Sequence, residues 1–107
     1  METRMQTVTV TPWPGPAAPT ERTIRAAMDA QGLDYYKWEN APLDTYAAHT
    51  HTYDKIIYVT QGSITFSLPQ TGQKFTLHPG DRLELPTNTI HSATVSIEGV
   101  ACLEAHL

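Results

Sequence analysis

From Leu33 to His106 the sequence is a succession of short apolar runs, four to nine residues long, each closed by turn-forming residues. Asp34–Glu39 and Leu43–His51 are separated by Asn40-Ala41-Pro42, and Lys55–Thr60 and Ser63–Leu68 by Gln61-Gly62. Gln73–Leu77, Arg82–Leu85, His91–Ile97 and Val100–His106 complete the series. Runs rich in Val, Ile, Thr and Tyr with a period of two make half-buried strands, because successive side chains point to opposite faces. Strands this short and this regularly spaced predict an all-β antiparallel sandwich or barrel. Gln61-Gly62 reads as a hairpin turn, with glycine supplying positive φ. The alternation sends Ile57, Val59, Ile64, Phe66 and Leu68 to the core and Ser63, Thr65 and Ser67 outward.

Residues 1–33 have a different texture. Met5–Val10 alternates and reads as a strand, and Pro12, Pro14, Pro16 and Pro19 stiffen the segment after it. A short helix follows, with Thr20 as N-cap, Glu21 at the positive end of the dipole, Ile24, Ala27 and Met28 on one face, and Gly32 to end it. The expected organisation is an N-terminal arm and helix over residues 1–33 and a barrel over 34–107, together one domain. The 107 residues suffice for a single modest core.

A net charge of −4 with seven scattered basic residues argues against a nucleic acid or an anionic membrane as partner. The sequence has no apolar run of about 18 residues and no signal-like start, so a cytosolic location is expected. Cys102 is the sole cysteine and reads as a small buried hydrophobe. Trp13 is expected to cover an end of the barrel, Trp38, Tyr46 and Tyr58 to pack, and His78 to lie on a surface turn.

The chemistry rests on histidines. His49 and His51, two apart on a strand, point to the same side with α-carbons roughly 7 Å apart. A third, His91, forty residues on, could complete a face of imidazole nitrogens on one metal ion and leave other positions open.

The residues around these histidines resemble the two motifs of the cupin family. Ala48-His49-Thr50-His51 through Gly62 is similar to the first, and Leu77-His78-Pro79-Gly80-Asp81 through Pro86 and His91 to the second. The resemblance implies a jelly-roll barrel with one short helix. It also implies a divalent transition metal (iron, manganese, nickel or zinc) held by His49, His51 and His91, a small-molecule substrate, and a homodimer in which the N-terminal strand adds to the neighbour's sheet. The sequence departs from the pattern at four places. Lys55 stands where the family places a metal-binding glutamate, Leu43 replaces a leading glycine, Asn88 another glycine, and Val95 a closing asparagine.

Lys55 has three open outcomes: a salt bridge with Asp54, Glu84 or Glu104; a neutral amine ready to accept a proton; or a cation replacing the metal. Tyr53 shares the phase of His51 and reads as a rim aromatic within reach of the pocket. Glu104 and His106 alternate with Cys102 on the last strand, so a carboxylate at the barrel mouth is a further candidate. Lys55, Tyr53 and Glu104 are therefore the candidate proton-moving residues. With iron, the resemblance implies a dioxygenase; with a redox-inert metal, an isomerase, decarboxylase or hydrolase. The alternative is a non-catalytic module that binds or senses a small molecule, with or without metal.

Overall fold

The computed structural model describes residues 7–107. Its elements are β1 (Thr9–Thr11), α1 (Glu21–Ala30), β2 (Tyr35–Asn40), β3 (Thr45–His49), β4 (Lys55–Leu68), β5 (Gln73–Leu77), β6 (Arg82–Leu85) and β7 (His91–His106). Every strand pairing is antiparallel. β1 hydrogen-bonds to β6 of its own chain, and the Met5-Gln6 part of the expected first strand lies outside the described residues.

One expected hairpin, at Gln61-Gly62, and one expected strand break, between Ile97 and Val100, are absent. Lys55–Thr60 and Ser63–Leu68 form one strand, β4, and His91–Ile97 and Val100–His106 form one strand, β7. β4 and β7 pair along their whole length, from Lys55↔His106 to Ser67↔Ser92, with register shifts near Gln61–Gly62 and opposite them. The glycines explain the difference. Gly62 (φ 72°) and Gly99 (φ 77°) meet where both strands are interrupted, and a Cβ on Gly62 would lie 2.0 Å from the Gly99 carbonyl oxygen. The positive φ that reads as a turn in the sequence instead makes a bulge that bends a continuous ladder.

One half of the ladder carries β6, β1 and β2, and the other carries β5 and β3. The ladder folds over as an antiparallel jelly-roll barrel. The bulges also reset the alternation. Ile57, Val59, Cys102 and Val100 line the same core as Ile64, Phe66, Ala93 and Val95, although the two halves of each strand differ in parity. Ser63, expected outward, is buried at the bend.

The sheet half bearing β6 and β2 is covered on its outer face as well. Thr20 and Thr23 cap α1 reciprocally, side chain to backbone at 3.2 and 3.0 Å. Gly32 (φ 70°) ends the helix, with the Leu33 N–H returning to the Met28 carbonyl. Ile24 and Met28 are fully buried against Ile56, Tyr58, Leu103 and Ala105. Trp13 joins this cluster beneath the helix, rather than covering an end of the barrel.

Gly62→Ala should destabilise the protein by about 2 kcal/mol or more, because strained backbone and a blocked Cβ add together. Gly72→Ala, with positive φ but nothing within 4 Å of its Cβ, should cost only about 1 kcal/mol. Urea midpoints of the two variants would measure the difference, and equal losses would remove the bend as the reason for Gly62.

Candidate functional site

The folded-over ladder encloses a cavity of about 260 Å³, lined by both halves of the barrel. β4 contributes Lys55, Ile57, Ile64 and Phe66, and β7 contributes His91, Ala93 and Glu104. Tyr36 and Trp38 come from β2, Tyr46 and His49 from β3, and His51 and Tyr53 from the segment that follows.

His49, His51 and His91 meet at one end. Their ligand nitrogens all lie within 4.8 Å of one another. β3 and β7 bring His49 and His91 together as direct cross-strand partners. His51 lies just beyond β3, and its backbone carbonyl is fixed by the Asn88 N–H at 2.7 Å and the Thr87 hydroxyl at 3.3 Å. Asp54 accepts the Thr87 N–H at 2.7 Å, so the segment carrying His51 and Tyr53 is tied to the one leading into His91. Asn88 adopts φ 62° there, a conformation asparagine tolerates in place of the family's glycine.

The ring orientations are set from behind. Nδ1 of His49 lies 2.7 Å from the Ala47 carbonyl oxygen, and Nδ1 of His91 lies 2.8 Å from that of Thr89. A carbonyl only accepts, so each Nδ1 carries the proton and each Nε2 presents a lone pair. His51 Nδ1 contacts the Tyr53 hydroxyl at 3.2 Å, while its Nε2 is buried without a hydrogen-bond partner among the described residues. Burial pushes the His91 imidazole down to about 4, and burial together with the nearby Lys55 ammonium lowers that of His51. Neutral imidazoles with free Nε2 atoms, one of them otherwise orphaned, are the chemistry a divalent transition metal requires. The three side chains fit such an ion.

The second cluster centres on Glu104. Tyr36 is its direct neighbour across β2–β7, and Ile57 its neighbour across β4–β7. The Tyr36 hydroxyl donates to Glu104 Oε2 at 2.8 Å and Trp38 Nε1 donates to Oε1 at 3.1 Å. His106 Nε2 lies 2.6 Å from Oε2, and Lys55 Nζ 3.6 Å from it. Of the three acids open to Lys55, the structure therefore selects Glu104; Asp54 caps Thr87, and Glu84 pairs with Arg82. Burial works to raise the Glu104 pKa, but the Lys55 ammonium and the His106 and Tyr36 hydrogen bonds outweigh it and hold the carboxyl below its ordinary 4.5.

Tyr53 lines the cavity, stacked on His51 at 5.1 Å and tilted against His106 at 4.1 Å between ring centroids. Tyr46, expected only to pack, also lines it. An irregularity between Tyr46 and His49 reverses the alternation, so both fall on the same face. Tyr58 packs as expected, His78 is exposed, and Cys102 is buried, where desolvation pushes its thiol pKa up. Tyr36, Trp38 and Tyr46 are pocket residues that the sequence reading missed. Tyr36 and Trp38 alternate with Lys37 and Glu39, and that phase was the available signal.

The cupin-domain family model matches residues 38–101. The chain belongs to the cupin family. No curated protein is similar enough to this cupin to count as a match. Among solved structures it resembles the polyketide cyclase RemF from Streptomyces resistomycificus, with 24% identity and a TM-score of 0.62 over 69% of this chain and 54% of that one. A chain from the structures of the DMSP lyases RdDddP and RnDddQII aligns with 24% identity and a TM-score of 0.63, over 71% of this cupin and 38% of that chain. A cupin superfamily protein from Desulfitobacterium hafniense aligns over 100% of this chain and 83% of its own, with 17% identity and a TM-score of 0.61. This cupin thus spans about half or less of the first two, and at these identities the likeness carries the fold alone.

Glu104 contributes stability that is fully present above the unfolded carboxyl value and is lost as the pH falls through its depressed folded value. Stability measured by urea unfolding from pH 7 to pH 3 should therefore decline on the acid side, and Glu104→Gln should flatten that limb. At pH 7 the same change should cost about 3 kcal/mol, because it leaves Lys55 buried without a counter-charge. An acid limb as steep in the variant as in the parent would remove Glu104 from this role.

Proposed function

We propose that this cupin is a metal-dependent enzyme that moves a proton on a small oxygenated organic substrate, as an isomerase or a lyase does. The observation that carries the reading is the orphaned, buried Nε2 of His51 facing two imidazoles whose Nδ1 protons are fixed on backbone carbonyls. His49, His51 and His91 would hold the ion, which supplies Lewis acidity toward a substrate oxygen and so acidifies the adjacent C–H.

The surrounding residues favour proton transfer over oxygen chemistry, the other branch of the expectation, because the wall beside the histidines is crowded with proton-handling groups. Glu104 stays a carboxylate at neutral pH and is the proton acceptor. His106, 2.6 Å away and partly exposed, donates to that carboxylate from the solvent side and holds it in place. Tyr53 orients His51 through the Nδ1 contact and closes the pocket on that side. The apolar wall of Ile57, Ile64, Phe66 and Ala93 excludes water from the substrate's body. The cyclase and lyase names among chains of the same fold accord with this reading. The proposal extends to a cytosolic homodimer, to be checked by sedimentation against the 11.9 kDa chain mass.

Protein purified without an affinity tag should retain close to one divalent transition metal per chain, and His51→Ala and His91→Ala should retain much less of it. In D₂O, the metal-loaded protein should exchange the acidic C–H of a member of a 2-oxo acid and 1,3-dicarbonyl panel, followed by NMR. Glu104→Gln should slow that exchange by about 10²-fold. A protein that holds metal but exchanges no panel member would favour the non-catalytic binder. Failure to hold any metal, even after reconstitution, would defeat the metal-centre reading itself.

A further inference from the structure

Lys55 has a property that its pairing with Glu104 does not explain. Its side chain is only 9% exposed, yet among the described residues its ammonium makes no hydrogen bond. The Glu104 oxygen at 3.6 Å is well beyond the roughly 2.7–2.9 Å of a charge-assisted hydrogen bond. Glu104, by contrast, is satisfied without the lysine, by Tyr36, Trp38 and His106 at 2.8, 3.1 and 2.6 Å. The carboxylate neutralises the ammonium at a distance but fills none of its three donor positions. Donors left open in this way are available to an acceptor on a ligand. Lys55 lines the cavity, so its open donor positions face whatever the cavity holds.

We propose that Lys55 anchors a carboxylate of the ligand, and that this pocket takes a small carboxylic acid with an apolar body. The inference rests on reading the cavity as the substrate site and adds the substrate's chemical class. Ile64, Phe66 and Ala93, from the far halves of β4 and β7, give the apolar body its seat. A volume of about 260 Å³ limits the molecule to roughly the smallest class of ligand pocket. A carboxylate fits better than a phosphate. Lys55 is a single point charge, no arginine lines the cavity among the described residues, and a dianion would be repelled by Glu104. In this arrangement Lys55 is a specificity residue, while proton movement stays with Glu104.

Benzoate, the near-isosteric neutral benzamide and inorganic phosphate are suitable probes, titrated calorimetrically into metal-loaded and chelator-treated protein. Benzoate should bind at least about tenfold more tightly than benzamide, as expected for loss of a charged hydrogen bond, and more tightly than phosphate. Lys55→Met should bring benzoate down to the level of benzamide. Because that change leaves Glu104 buried and uncompensated, the charge-neutral pair Lys55→Met with Glu104→Gln is tested beside it, and should show the same loss with its metal content unchanged. Unaltered benzoate affinity in the double variant would overturn the inference, as would equal binding of benzamide or tighter binding of phosphate. Lysine-dependent benzoate binding in protein that holds no metal would support the anchor while defeating the metal-centre reading. Binding that follows the metal and ignores the lysine would do the reverse.

Discussion

The site exists because β4 and β7 stay paired while they bend. His91 and Glu104 lie thirteen residues apart on one strand. On a straight strand they would be about 43 Å apart and, differing by an odd number, would face opposite sides. The interruption at Gly62 and Gly99 removes both obstacles at once: it folds the strand ends over each other and restores a common inward face. The histidine cluster on one half of the ladder and the carboxylate cluster on the other then share one cavity. The backbone contact between the two glycines, which no side chain could survive, is the constraint on which the rest depends.

Within that frame the charges depend on one another. The His51 and His91 imidazoles are kept neutral by burial and by the nearby ammonium, and the ammonium is tolerated because Glu104 sits opposite it. The lysine in place of the family's glutamate does not abolish acidic character in the pocket; it relocates it. The carboxylate comes from β7, facing Tyr36 on β2, and is held by three donors away from any role as a simple ion.

Much of this was legible in the sequence, and the failures have specific causes. Period-two alternation with turn residues identified nearly every strand, and the two motifs brought His49, His51 and His91 together. Gln61-Gly62 misled because positive φ is common to hairpins and bulges, and only the partner strand distinguishes them. Tyr46 was misplaced for the same reason, since an irregularity in β3 reverses the phase without any mark in composition. Tyr36 was missed because its importance lies in register: it matters by standing opposite Glu104, and pairing between strands 68 residues apart cannot be read from either one alone. Lys55 stands out in the sequence as a departure from the motif, but its partner depended on the same long-range pairing.

X-ray absorption at the metal edge of the zinc-loaded protein tests the centre most directly. Three imidazoles at about 2.0–2.1 Å are predicted, from His49, His51 and His91, falling to two with weakened retention in His51→Ala. One or two imidazoles in the parent, or a spectrum indifferent to loss of His51, would contradict a three-histidine metal centre in this cupin.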